Sequence, residues 1–238
     1  MENKNLGKLY LIPTTLGDTE PLEVLPISIK RTIENVNYFI VENEKTARGF
    51  IKKISSGKSQ SGLNIELLNK FTEPEIIPTF LQPCLEGKDV GIISEAGCPG
   101  IADPGADVVR IAHEKNIKVV PLVGPSSILL ALMASGLNGQ NFAFNGYLPI
   151  ESGERKSAIK KLEKLSKDTG QSQLFIETPY RNDKLFAELC KTLNPYTKVC
   201  VACDITLPAE YISTKLIKDW SKEKLDLHKR PTIFIIQA

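Results

Sequence analysis

The first half of the chain alternates short apolar runs with helical patterns, and this alternation restricts it to architectures built on a parallel sheet. The runs Lys8 to Ile12, Tyr38 to Glu42, Leu63 to Asn69, Asp89 to Ser94 and Lys118 to Leu122 have the length and composition of strands. Helical patterns at Lys45 to Ile54, Glu75 to Leu85 and Pro104 to Lys115 separate most of them. Strand and helix in repeated succession predict a doubly wound α/β sheet. Gly124 and Pro125 then open an apolar helix, Ser126 to Ala134, that closes at Gly136. The second half offers runs at 142–149, 173–177, Lys198 to Cys203, Tyr211 to Ile217 and Thr232 to Ile236, with helices at Arg155 to Lys167 and Asn182 to Leu193. Helices become sparse after Leu193, which predicts a mixed sheet with antiparallel pairing. The expected organisation is an N-terminal α/β domain over 1–123 and a C-terminal α/β domain over 124–238, packed closely with a cleft between them.

Within the first half, SEAGCPGIADPG at 94–105 joins a strand to a helix start. Gly97, Pro99 and Gly100 let the backbone turn sharply and approach a ligand without an intervening Cβ. Asp103 is read as the N-cap of the next helix and Pro104 as its first residue. Such a loop at the carboxyl end of a strand is where open α/β sheets place ligands, and it also suits an ordinary connection.

Composition removes several kinds of chemistry. The chain has 238 residues, a net charge of +2, five cysteines and two histidines. No apolar run approaches the ~20 residues of a bilayer span, and MENKNLGKLY lacks the apolar segment of a signal peptide. A cytoplasmic protein without membrane contact is expected. The odd, scattered cysteines suit reduced thiols, and Cys200 and Cys203 have no second pair to complete a zinc site, so no metal centre is expected. With only His113 and His228 available, histidine-centred nucleophilic catalysis is disfavoured. The best basic patch is the helix Arg155 to Lys167, where Lys156, Lys160 and Lys164 recur at four-residue spacing. Glu151, Glu154 and Glu163 dilute it, which favours an ordinary solvated face.

The first strand is followed by PTTLGDTEP, in which Pro13 has no N–H for a pyrophosphate, and neither GxGxxG nor GxxxxGK[ST] occurs. The expected ligand has little or no phosphate. Thr14 and Thr15, Gly97 to Asp103, and Ser126 with Ser127 combine tight turns with small hydroxyl residues, and together predict a narrow pocket rich in backbone polar groups.

The series PTTLGD, SEAGCPGIADPG, LVGPSS, FNGYLP and FIETPYR, in this order and at these spacings, resembles the tetrapyrrole methylase superfamily. The match is greatest with its branch that methylates a ribose 2′-hydroxyl of 16S ribosomal RNA. The resemblance implies a two-domain tetrapyrrole-methylase-like α/β fold that binds S-adenosylmethionine in the interdomain cleft, acts on ribosomal RNA or the small ribosomal subunit, and works as a homodimer. It assigns Pro13 and Gly17 to the first cofactor-binding loop. Glu95, Ala96, Gly97 and Pro99, with Ile101 and Asp103, fall in the second, which would hold the methionine end. Ser126 and Ser127 open the following helix, Tyr147 and Leu148 border the adenine, and Cys203, Pro231 and Thr232 close its pocket.

A sulfonium cofactor is already activated, so the protein need only align the acceptor, exclude water and remove the hydroxyl proton. Glu42 and Glu177 are the candidate catalytic carboxylates; Arg48 and Arg181 are the candidate substrate-binding residues. Glu177 and Arg181 also have the i, i+4 spacing of a simple ion pair. The chain departs from the branch in ENEKTAR, where Asn43 and Lys45 alter the charge pattern, and at Cys203, Asp204, Arg230 and Pro231. Two other readings remain open: methylation of a tetrapyrrole or other small molecule, and a noncatalytic RNA-binding module that keeps the fold.

Overall fold

A computed structural model describes residues 5–238. The opening positions of the stretch read above for a signal peptide lie outside the described residues. The chain divides into two compact units, the first ending at Ser126 and the second running Ser127–Ala238.

The first unit is a five-stranded parallel sheet of β1 (Lys8–Ile12), β2 (Tyr38–Val41), β3 (Asn64–Leu67), β4 (Val90–Ile93) and β5 (Lys118–Pro121), in the order β3-β2-β4-β1-β5. Period-two alternation sends neighbouring strand residues to opposite faces. Ile12, Phe39, Val41 and Ile93 pack on one side with Ile29 and Ile33 of α2 (Ile27–Asn35) and Ala47, Ile51 and Ile54 of α3 (Glu44–Ile54). Leu9, Ile40, Val90 and Ile92 pack on the other with Phe80 and Leu81 and with Val108, Ile111 and Ala112 of α5 (Ala106–Glu114). The first unit is thus doubly wound, as its alternating pattern predicts.

Two expected helices differ from the sequence reading. The segment read as one helix from Glu75 to Leu85 is a 3₁₀ turn, Ile77–Leu81, followed by the short α4 (Gln82–Leu85). Pro78 and Pro83 each lack the N–H that a continuous α-helix would need, so the segment breaks at both. The helix expected from Pro104 begins at Ala106, and its N-cap is Gly105 at φ +132°, not Asp103. That backbone turn is open to glycine and closed to a residue with a Cβ, and it leaves the Asp103 side chain free of any capping role. Between β1 and β2 lies a further short helix, α1 (Pro21–Val24), ahead of α2.

The second unit is a five-stranded mixed sheet ordered β6-β7-β10-β8-β9, formed by β6 (Phe142–Tyr147), β7 (Ser172–Ile176), β8 (Lys198–Cys203), β9 (Tyr211–Leu216) and β10 (Thr232–Gln237). Only β6 and β7 pair in parallel; every other pairing is antiparallel. One face packs Phe175, Val201 and Phe234 against Ile159 of α7 (Ser152–Thr169), Leu185, Phe186 and Leu189 of α8 (Asn182–Thr192), and Trp220 of α9 (Ile217–Trp220). The Trp220 indole donates to the Val199 carbonyl at 2.9 Å, which supplies its one polar atom with a partner in a fully buried setting. The remaining helix of this unit, α6 (Ser127–Ser135), lies against β8, β9 and β10. Cys200 and Cys203 are both fully buried on β8, and all five cysteines are free.

Candidate active site

Strands β4, β1 and β5 lie side by side, so the loops leaving their carboxyl ends are neighbours. The Thr14 N–H donates to the Gly97 carbonyl at 3.0 Å, and the Thr14 hydroxyl lies 3.3 Å from the Ser94 carbonyl and 3.3 Å from the Ser94 hydroxyl. The Ser94 hydroxyl in turn donates to the Gly97 carbonyl. The first and second loops are therefore stitched together by buried polar groups. The third approaches through Gly124, where a Cβ would sit 2.3 Å from the Cβ of Pro13. Gly97 has φ +72°, and a Cβ there would lie 3.1 Å from both Leu16 and the Pro125 carbonyl. Pro13, Gly97 and Pro99 are buried, Gly17 and Asp103 are half-buried, and Glu95, Ala96 and Ile101 are exposed in the same set of loops. Ser126 ends the third loop.

Between the carboxyl ends of β2 and β4 the connections diverge, one to α3 on one face and the other to α5 on the opposite face. This is the switch point at which an open sheet leaves a crevice. A small crevice there is lined by Val41, Glu42, Ile93, Ser94, Asp103 and Pro104. Three carboxylates gather around it. Burial and the charge of Glu95 hold Glu42 above the usual carboxylate range. Burial, then the charges of Glu42 and Glu95, push Asp103 up to about 6. No cationic side chain among the described residues opposes either shift. Glu95 accepts from the Thr46 hydroxyl at 2.7 Å, while Asp103 Oδ2 is buried with no hydrogen-bond partner. The crevice concentrates negative charge, and no cation among the described residues contributes to the shift of Glu42 or Asp103.

Arg48 does not face a vacant position. Its Nε donates to Glu44 at 2.8 Å and its Nη1 to the Gln60 carbonyl at 2.7 Å, so α3 and the loop beyond it hold the guanidinium. Asn43 caps α3 by accepting from the N–H groups of Lys45 and Thr46. This departure from the family's charge pattern therefore has a structural role in helix capping.

In the second unit, the strand directions bring the remaining candidates to one end of the sheet. β6, β7 and β8 finish there and β10 begins there, so Tyr147 with Leu148, Glu177, Cys203, and Pro231 with Thr232 share that edge. Cys203 and Thr232 are register partners, and Tyr147 pairs with Ile176. Tyr147 is exposed; Leu148, Cys203 and Thr232 are buried. Ser127 stands apart as the first residue of α6. Glu177 is buried and accepts from Arg181 at 2.6 Å and from the Thr178 N–H at 2.7 Å, so the ion pair allowed by their spacing is formed. At the same edge Arg230 donates to Asp204 at 2.7 Å, which ties two of the chain's departures from the family pattern to each other.

Ser94, Thr46 and Gly124 also belong to this arrangement, although local sequence gives none of them a site role. Ser94 closes an apolar run, the usual place for a strand-end polar group. The sequence marks Gly124 as a helix opener alone, because its contact with Pro13 depends on tertiary structure. Among the described residues, no three His, Cys, Asp or Glu side chains are arranged so that they could hold a metal ion, and no helix is long and apolar enough to cross a membrane.

The chain matches the family described as Tetrapyrrole (Corrin/Porphyrin) Methylases over residues 8–219. It is 29% identical over 234 residues to Ribosomal RNA small subunit methyltransferase I of Buchnera aphidicola subsp. Schizaphis graminum, covering 97% of this chain and 78% of the relative. Among solved structures it resembles the methyltransferase CobJ, with a TM-score of 0.64 at 15% identity over 97% of this chain and 94% of that one. It also resembles uroporphyrin-III C-methyltransferase from Thermus thermophilus complexed with S-adenosyl homocysteine, with a TM-score of 0.58 at 14% identity over 97% of each chain.

Proposed function

The chain belongs to the tetrapyrrole (corrin/porphyrin) methylase family, and we propose that it is an S-adenosylmethionine-dependent methyltransferase whose acceptor is a ribose 2′-hydroxyl of small-subunit ribosomal RNA. The observation that carries the cofactor reading is the uncompensated carboxylate group of Glu42, Glu95 and Asp103 beside the Gly97 loop. A ligand with positive charge on a sulfonium and an ammonium group suits that field, and the partnerless Asp103 Oδ2 is an acceptor for a cationic N–H donor. The open space around Gly100, where a Cβ would meet nothing within 4 Å, leaves room beside the same loop. The RNA half of the reading is supported by the similarity to a ribosomal RNA small subunit methyltransferase over nearly the whole chain.

When bound, the cofactor supplies a methyl group that is already activated by its sulfonium sulfur. The tasks left to the protein are holding, orienting and proton removal. Pro13, Gly17, Glu95, Ala96, Gly97, Pro99, Ile101, Asp103 and Ser126 hold the methionine end, chiefly through backbone groups. Ser127, Tyr147, Leu148, Cys203, Pro231 and Thr232 contribute the apolar and small polar surface that receives the adenine. Of the two candidate bases, Glu42 is favoured: it is only half-buried, no side chain among the described residues pairs with it as Arg181 does with Glu177, and burial and the charge of Glu95 raise its proton affinity above that of an ordinary carboxylate. Glu177 is held by Arg181 and Thr178, which makes it the anchor that orients Arg181 for substrate.

The protein acts in the cytoplasm as a homodimer on this reading. Leu129 and Met133, one turn apart on α6, are 50% and 78% exposed and offer an apolar patch for a second copy. The test of function is methyl transfer from radiolabelled S-adenosylmethionine to under-methylated small ribosomal subunits, with calorimetric titration of the cofactor alongside. Label in 16S RNA at a 2′-O position is the expected result. Cofactor binding without labelled RNA would overturn the acceptor, and absence of binding would overturn the cofactor.

A further inference from the structure

The groove between α7 and α8 carries four lysines, Lys156 and Lys160 from one helix and Lys184 and Lys191 from the other. All four are exposed, and none is in a salt bridge among the described residues, whereas Lys53, Lys88 and Lys215 each have a carboxylate within 4 Å. The sequence alone suggests that acidic neighbours dilute this patch. The structure turns most of those neighbours away. Glu163 accepts from the Asn194 N–H and the Thr197 hydroxyl, and Glu151 accepts from the Glu154 N–H as the cap of α7. Asp183 accepts from the Leu227 N–H. Glu188, which lines the groove, is buried against the Arg155 guanidinium and the Ser152 hydroxyl. The groove is left with a cationic lining whose charge is not neutralised locally.

The spacing suits a linear polyanion. Lys156 and Lys160 are one turn apart, about 6 Å along α7, and Lys184 and Lys191 are two turns apart, about 10.5 Å along α8, so the charges form two rows flanking a channel. Four mobile ammonium groups without aromatic neighbours would contact phosphates and leave bases unread. We infer that this groove is a docking surface for the phosphate backbone of RNA, separate from the residues that hold the cofactor. The inference rests on the RNA reading above and adds to it the surface that supplies affinity. An acidic protein is the competing occupant; two rows of unpaired lysines along the channel, with no large apolar or aromatic residue among its described lining to anchor a folded partner, favour a polyanionic strand over a folded acidic surface.

The experiment measures binding of a 16S ribosomal RNA transcript from 50 to 200 mM salt for the wild-type protein and for the fourfold variant K156Q/K160Q/K184Q/K191Q. Calorimetric titration with S-adenosylmethionine serves as the fold and cofactor control. The variant is expected to bind the transcript at least about tenfold more weakly at 50 mM salt and to lose about 0.7 from the log–log salt slope per phosphate contact removed, with cofactor binding unchanged. A control variant, K222Q/K224Q, is expected to leave both quantities as they are. Equal affinity and slope for the fourfold variant and the wild type would overturn the groove while leaving the RNA reading intact. Failure of the wild-type protein to bind the transcript would overturn both. If the fourfold variant loses cofactor binding, the single variants K160Q and K184Q replace it, and unchanged salt slopes in both would overturn the groove.

Discussion

The Thr14 N–H donates to the Gly97 carbonyl at 3.0 Å, so the loop after β1 and the loop after β4 share a hydrogen bond at the point where Gly97 adopts φ +72°. The conformation that presents the Gly97 carbonyl to Thr14 is one that an L-residue adopts at a cost. The position therefore couples stability to the shape of the candidate pocket.

Gly97→Val is expected to destabilise the protein by about 1–3 kcal/mol, from the positive φ and the crowding against Leu16 and Pro125. It is also expected to abolish cofactor binding. Urea denaturation and calorimetric titration of the folded variant check the two effects separately. Full binding in the variant would remove this loop from the site.

Asp103 gives the protein a pH signature. Its folded-state pKa of about 6 lies above the unfolded value, so between about pH 4 and 6 the folded state retains a proton that the unfolded state has lost. Its contribution to stability therefore falls as pH rises through that window. Asp103→Asn is expected to raise the thermal midpoint at pH 8 and leave it close to wild type at pH 4, while weakening cofactor binding at both pH 7 and pH 8. Binding of the cation by the wild-type protein at pH 6 should release protons, read by titration in two buffers of different ionisation enthalpy.

The two candidate bases separate by mutation. Glu42→Gln is expected to weaken cofactor binding modestly, as loss of one of the three carboxylates requires, and to lower methyl transfer at saturating cofactor by roughly 10²–10⁴-fold. Glu177→Gln removes the charged partner of Arg181 and should act on RNA affinity and stability more than on the single-turnover rate with saturating RNA. Single-turnover rates at saturating and limiting RNA distinguish the two patterns.

The Arg155–Glu188 pair is a structural device of the second unit. Both side chains are almost fully buried, at 3% and 8% exposure, and Arg155 also donates to the Ile150 carbonyl at 2.7 Å. Glu188→Ala would leave the guanidinium buried without its counter-charge, at a cost of about 3–5 kcal/mol in urea denaturation. The double variant R155M/E188L should recover much of that loss.

Much of this architecture is written in local pattern. Unbroken apolar runs after Lys8 and Lys198 mark β1 and β8 over the residues they occupy, because an interior strand of each sheet has little solvent-facing side to carry polar residues. Ile29 and Ile33 are the only core residues that α2 contributes, too few for a distinct helical stripe, and the sequence reading names no helix there. Prolines at 78 and 83 divide what apolar spacing presents as one helix. The site was legible as a set of loops, since glycines, prolines and small hydroxyl residues at strand ends are local signals. The electrostatics were not. That Asp103 caps no helix, that Arg48 reaches the Gln60 carbonyl, and that Glu163 and Glu188 are engaged by partners other than the groove lysines all depend on how separate segments fold against one another.

The three carboxylates around the crevice also bear on turnover. On the proposed reading, the field of Glu42, Glu95 and Asp103 favours a ligand whose sulfur is positively charged, and methyl transfer leaves a neutral thioether in its place. The same side chains that draw the cofactor in then hold the demethylated product less tightly. Discrimination between donor and product, and hence relief of product inhibition, follows from leaving those carboxylates without a cation of the protein's own.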